Sequence, residues 1–265
     1  GRMSRPSAVF RLPAPLLAAL ALLPFWARAG SWPEAPARFE LENGLAVICF
    51  TDGNSSNSVV QILVNGGQRL EAPGQQGLAC LALNLSLQVP EPQDVRRLME
   101  MGAVHALAVF PDYAMITIQC QSVFLEETLK LLTQQMAAPL LSGLRIDAAK
   151  ARLKNLQKQE QERPLEAMRL AQRQAFFAGS AAAGSVFGNE ASLSAFGKKD
   201  ISALHRSLFA AKNIVLLVAS DMNAAALKEM LAGSFGRFPA GPRQVAPPAA
   251  PAPGPFPAGR VTLQT

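Results

Sequence analysis

The sequence predicts an α+β domain in which a mainly antiparallel sheet is covered by helices. Three observations carry this prediction. Short runs of alternating or continuous apolar residues recur beside turn-forming residues. Longer stretches with apolar residues at i, i+3 and i+4 lie between those runs. The strands come in pairs with intervening helices rather than in strict βαβ alternation, which disfavours a parallel sheet. At 265 residues and 49% apolar composition, the chain carries enough hydrophobic material for a sizeable core.

Taken in order, "FELENGLAVICF" (39–50) and "SNSVVQILVNGG" (56–67) have strand-like length and patterning. The turn-forming "TDGNSSN" between them makes the pair read as a β-hairpin. Helical spacing begins after Pro73 in "GQQGLACLALNLSLQ", and "EPQDVRRLMEMGA" gives a second amphipathic helix stopped by Gly102. A second strand pair, "AVHALAVF" and "YAMITIQC", flanks the turn Pro111-Asp112. From Ser122 the chain is mostly helical: "SVFLEETLKLLTQQM", then a long run from Leu144 to Phe177 that Pro164 kinks or breaks. Short helices around "SLSAF" and "KKDISALHRSLF" lead to one strong strand, "NIVLLVAS", and a last helix, "NAAALKEMLAGSF".

The two ends have a different composition. Residues 1–29 read as an export signal, with Arg5 and Arg11 before the apolar "LLAALALLPFWA" and a small-x-small cleavage site at Ala27-Arg28-Ala29. That apolar stretch is too short to span a bilayer core, which needs about 20 residues. The expected location is therefore exported, periplasmic or secreted, with no stable membrane span after cleavage. Residues 30–238 form the folded domain. Residues 239–257, "PAGPRQVAPPAAPAPGPFP", are a Pro/Ala linker, and 258–265, "AGRVTLQT", open the strand of a truncated second unit.

Charge excludes a large class of partners. The formal +6 falls close to balance once Arg2, Arg5, Arg11 and Arg28 of the leader are set aside, so nothing points to nucleic acid. No Gly-rich phosphate loop is present. Cys49, Cys80 and Cys120 cannot all pair within one chain and form no zinc-ribbon or redox motif. They read as small buried hydrophobes, their disulfide state open.

The order of these elements resembles the first half of an M16 metallopeptidase, the insulinase, pitrilysin and mitochondrial processing peptidase family with its LuxS/MPP-like fold. The resemblance spans Phe39 to about Gly241. "LENGLAVICFTD" is similar to the family's opening strand, and "VVQILVNGGQRLEAPGQQGLA" to its second strand and the loop before the metal helix. "PLLSGLRIDAAKARL" resembles the approach to the long central helix, and "VFGNEASLSAFGKKDISALHRSLFAAKNIVLLVASDMN" the close of the domain.

In active members that metal helix carries H-x-x-E-H. Two histidines at i and i+4 bind zinc from one helix face, and the glutamate takes a proton from the metal-bound water. Matched residue by residue, Cys80 stands at the first histidine, Leu83 at the glutamate and Asn84 at the second histidine. Asn84 is a poor zinc ligand and Leu83 has no basic group. The family's third ligand, a glutamate on the following long helix, falls near Asn155 to Lys158, where there is none; Glu160 and Glu162 just beyond read as a solvated charged face.

Only two histidines exist. His105 lies in the strand that runs along the substrate groove in active relatives, beside Ala106 where the family has asparagine; His205 lies in an amphipathic helix. Neither has a partner at metal spacing. A Cys80–His105 thiol–imidazole pair has no local mark, neither a helix N-terminus nor a basic neighbour within a turn. Catalytic, cofactor and metal sites are thus expected to be absent, with zinc belonging to an active relative or partner subunit.

The resemblance implies a catalytically inactive M16 homologue. It would be the non-catalytic subunit of a zinc-bearing M16 peptidase, or pair with its own second half, and help enclose extended peptides held through main-chain hydrogen bonds. Two alternatives stand beside it: a periplasmic peptide-binding or scaffold protein acting alone, and a peptidase whose metal site lies in the second half.

Overall fold

The computed structural model describes residues 35–72 and 74–244. The expected leader at 1–29, most of the Pro/Ala linker and the strand opening at 258–265 lie outside these residues. Among the described residues a six-stranded sheet is built from β1 (Ala37–Glu40), β2 (Ala46–Thr51), β3 (Asn57–Asn65), β4 (Val104–Val109), β5 (Tyr113–Gln121) and β6 (Ile214–Ser220), in the order β1-β2-β6-β3-β5-β4. All pairings are antiparallel except β2 with β6.

The expected hairpin between residues 39–50 and 56–67 does not form. β6 inserts between β2 and β3, pairing parallel with the first and antiparallel with the second. The run 39–50 instead contains a hairpin of its own: β1 and β2 pair around a turn closed by Leu41 N–H to Leu45 O at 2.9 Å, with Gly44 at φ +83°. The physical reason lies in β6. Its "IVLLVAS" is the most continuously apolar strand, and a central place, with a strand on each edge, one face buried and most of the other half-buried, removes more apolar surface from water than an edge position does. The second predicted hairpin, β4 with β5 around Pro111-Asp112, is as expected; Phe110 and Tyr113 stack across its turn at 4.6 Å.

Eight helices accompany the sheet among the described residues: α1 (Leu78–Ser86), α2 (Pro92–Glu100), α3 (Leu125–Ala137), α4 (Gly143–Glu162), α5 (Pro164–Phe176), α6 (Glu190–Ala195), α7 (Lys198–Leu208) and α8 (Ala224–Phe235). α4 starts at Ser142, whose hydroxyl accepts from Arg145 N–H, and α8 starts at Asn223, whose side chain accepts from Ala226 N–H. Pro164 breaks the long run rather than kinking it: Arg163 is extended, and the proline takes the first position of α5, where its missing N–H costs nothing.

One face of the sheet carries the core. Val47, Val60, Ile62, Ile116, Ile118, Leu216 and Val218 are buried there against residues of α1, α3, α7 and α8. The alternate residues, such as Gln61, Leu63, Thr117 and Val215, are half-buried on the opposite face. Cys49, Cys80 and Cys120 are all buried free thiols. No helix among the described residues is long and apolar enough to cross a membrane.

Candidate functional site

α1 is the helix the sequence singled out. Every residue in it except Asn84 is buried, because it packs between α7 on one side and α4 on the other. Its first residue follows Gly77, which has φ +91° and no side chain to cap the helix. The cap comes from Glu71, which the sequence reading missed. Its two carboxyl oxygens accept from Gly77 N–H at 3.1 Å and Ala79 N–H at 2.8 Å. Burial pushes this carboxyl up to about 8, against the pull of those backbone donors. A glycine at the N-cap leaves the first N–H groups without an acceptor, and that is the signal that points to a nearby carboxylate.

The entry to α1 is also fixed by two glycines in direct contact. A Cβ on Gly77 would lie 2.7 Å from Gly188 Cα, and one on Gly188 would lie 2.4 Å from Gln76 O. Ser192 at the start of α6 donates to the same Gln76 carbonyl at 2.7 Å. The segment that leads into α6 is thereby held against the loop before α1.

The expected motif positions separate in space. Cys80 and Asn84, one turn apart, face a groove of about 580 Å³, while Leu83 is turned into the core and has no exposure at all. The other walls of the groove come from residues 105–109 of β4, from Arg152 and Leu156 on α4, and from Phe187. Asn84 Nδ2 donates to Cys80 O at 2.9 Å and to Cys80 Sγ at 3.4 Å. Cys80 lies in the first turn of α1, contrary to the expectation that no helix N-terminus marks it, and Arg152 acts on it from α4. Both favour a thiolate, yet burial outweighs them and, with the Glu71 carboxylate, pushes the thiol up to about 12.

Arg152 is the second residue the sequence reading missed. Leu156 falls within the Asn155 to Lys158 window where the resemblance puts a carboxylate, and Arg152 lies one helical turn before it on the same helix face. Neither Glu160 nor Glu162 lines the groove. Glu162 is exposed beside Lys158, as a solvated face requires, but Glu160 is only half-buried, with Oε2 buried and without a hydrogen-bond partner, and it acts on Arg173. His105 does reach the groove, where burial and Arg152 lower its pKa. His205 is a core residue: Nε2 lies 2.7 Å from Met136 O, and its ring packs on Phe209.

The donor set at this groove does not fit a zinc ion. A neutral thiol and a carboxamide face a guanidinium, which repels a dication, and among the described residues no three His, Cys, Asp or Glu side chains group to hold a metal.

Solved structures share this architecture. A protease from Helicobacter pylori superposes with a TM-score of 0.73 at 17% identity, covering 83% of this chain and 54% of its own. A peptidase M16 inactive domain from Pseudomonas fluorescens gives 0.72 at 16% identity, covering 79% and 52%. The first half of the periplasmic protease PqqL from Escherichia coli gives 0.71 at 13% identity, covering 81% and 49%. The chain has the M16 peptidase fold. This M16-like domain spans about half the length of those structures. No protein-family model matches the sequence, and no curated protein matches it.

Proposed function

We infer that this M16-like domain is catalytically inactive and works as the non-catalytic half of a peptidase chamber, beside a zinc-bearing M16 partner. The observation that carries this reading is the composition of the groove at α1. A thiol kept protonated by burial, a carboxamide and a guanidinium stand where zinc-dependent hydrolysis needs ligands and a base. The role left to the groove is to hold peptide.

The hydrogen-bonding pattern of β4 supports that role. Phe110 N–H donates to Tyr113 O at 2.8 Å, so residues 110 and 113 form a hydrogen-bonded pair of the ladder. Pairs alternate along antiparallel strands, so Ala108, Ala106 and Val104 bond to β5. His105, Leu107 and Val109 direct their N–H and C=O groups to the outer edge, where β4 has no partner strand among the described residues. An extended peptide adds there as a further strand. Export to the periplasm follows from the leader-like composition of residues 1–29 and accords with the periplasmic setting named for PqqL.

The test is purification of the tagged full chain from the periplasm. The expected result is a protein without stoichiometric zinc that cleaves no peptide alone and that co-purifies with a zinc-containing peptidase. Zinc-dependent hydrolysis by the isolated chain overturns the reading.

A further inference from the structure

We propose that the groove between α1, β4 and α4 selects peptides carrying an acidic side chain, with Arg152 as the anchor. This rests on the reading of β4 as a strand-addition edge and names the chemistry that edge would choose.

Four observations lead to it. Arg152 lines the groove, and no aspartate or glutamate does. Its guanidinium makes no ion pair or hydrogen bond with a described residue, whereas Arg97 is held by both oxygens of Glu127 at 2.7 and 2.8 Å and Arg173 is bound to Gln68 at 2.6 Å. Its field is felt across the groove, since it acts on both Cys80 and His105. Finally, His105, Leu107 and Val109 pair with Ile118, Ile116 and Ala114, so their side chains lie on the helix-covered side, towards α1 and α4.

These place the ligand. A strand added to the edge of β4 sends alternate side chains into the groove, about 7 Å apart. The one opposite His105 meets Arg152. The next one inward meets Leu107, Leu156 and Phe187, which are apolar. The favoured sequence is therefore an acidic residue two positions from an aliphatic one. A carboxylate fits the planar donor fork of arginine through two hydrogen bonds, and Asn84 and Gln88 supply further polar groups from the facing wall.

The probe is a fluorescent, end-capped peptide, Thr-Val-Thr-Glu-Thr-Val-Thr, which places valine two positions from the acid in either strand direction. It is compared with its Glu→Gln counterpart and with a version N-methylated along the backbone. Anisotropy titrations use the full chain and its Arg152→Gln and Arg152→Glu variants; Arg152 is exposed, and unchanged melting curves establish that the variants fold. The expected result is that wild type prefers the glutamate peptide by roughly tenfold to a hundredfold. Arg152→Gln abolishes the preference, Arg152→Glu shifts it to a lysine-substituted peptide, and N-methylation weakens all binding. Equal binding of the Glu and Gln peptides, still sensitive to N-methylation, overturns the acidic selection and leaves strand addition standing. A preference that survives in Arg152→Gln also overturns it. Insensitivity to N-methylation, or no binding of any peptide, removes strand addition itself and the selection with it.

Discussion

Glu71 caps a helix from outside its sequence: its carboxyl accepts the N–H of Ala79 at 2.8 Å, eight residues on, within a site that is almost closed to solvent. The helix that would carry a metal motif is thus held at its start by a carboxyl group that pays for burial with a raised pKa.

That contact sets a pH dependence. The carboxyl titrates at about 8 in the folded chain against an ordinary value of 4.5. Between those values the native state holds the proton more firmly than the unfolded state, so this group's contribution is full below about pH 4.5 and declines as pH rises to about 8. Glu71→Gln does not titrate, and it loses one acceptor, at a cost of about 1–2 kcal/mol. Urea unfolding at pH 5 and pH 8 should show the deficit of Glu71→Gln narrowing at the higher pH. A deficit that widens would mean that the charged carboxylate is the stabilising form.

Installing H-x-x-E-H on α1 should not create a zinc peptidase, for a reason beyond the lack of a carboxylate at Asn155 to Lys158. In the triple variant Cys80→His, Leu83→Glu, Asn84→His, the new glutamate would replace a side chain with no exposure. Burying a carboxylate without a partner costs several kcal/mol. A strongly lowered melting temperature and no zinc-dependent peptide hydrolysis are expected; cleavage above background by a folded triple variant would show that another carboxylate, Glu160 or Glu162, reaches the site.

The Gly77–Gly188 contact predicts that Gly188→Ala destabilises by about 1–3 kcal/mol. Gly188 has φ +82°, and the added methyl would fall 2.4 Å from Gln76 O. By contrast Gly143→Ala, at the first position of α4 with open space around it, should be neutral or slightly stabilising. Thermal melts of the two variants check both.

Thiol chemistry offers a simple check on the burial of the site. Cys49, Cys80 and Cys120 are buried, and burial raises all three thiol pKa values. The folded, reduced chain should react with a thiol reagent at pH 8 far more slowly than the urea-unfolded chain, which releases three equivalents. Rapid labelling of Cys80 in the folded state would contradict the buried, protonated thiol on which the inactive reading depends.

How much of this was legible differs by element. The α+β class, the β4–β5 hairpin and the break at Pro164 follow from local rules: alternation with period two, helical spacing, turn residues, and a ring without an N–H. The identities of Cys80, Leu83 and Asn84 are likewise read directly, and their assignment to the H-x-x-E-H positions is what the resemblance implies. The place of β6 was not legible. Val47 pairs with Leu216 and Val60 with Val218, more than 150 positions away, and no local pattern encodes which edge such a strand joins.

The same division runs through the site. The residues at the motif positions are set by the sequence alone, since a side chain lacking a base or a ligand atom lacks it in any fold. Only the tertiary structure decides that Leu83 turns inward while Cys80 and Asn84 face a groove, that Glu71 returns to cap α1, and that Arg152 brings a positive charge to the opposite wall. Those facts depend on how α1, β4 and α4 pack together, and packing joins residues by distance in space rather than by distance along the chain.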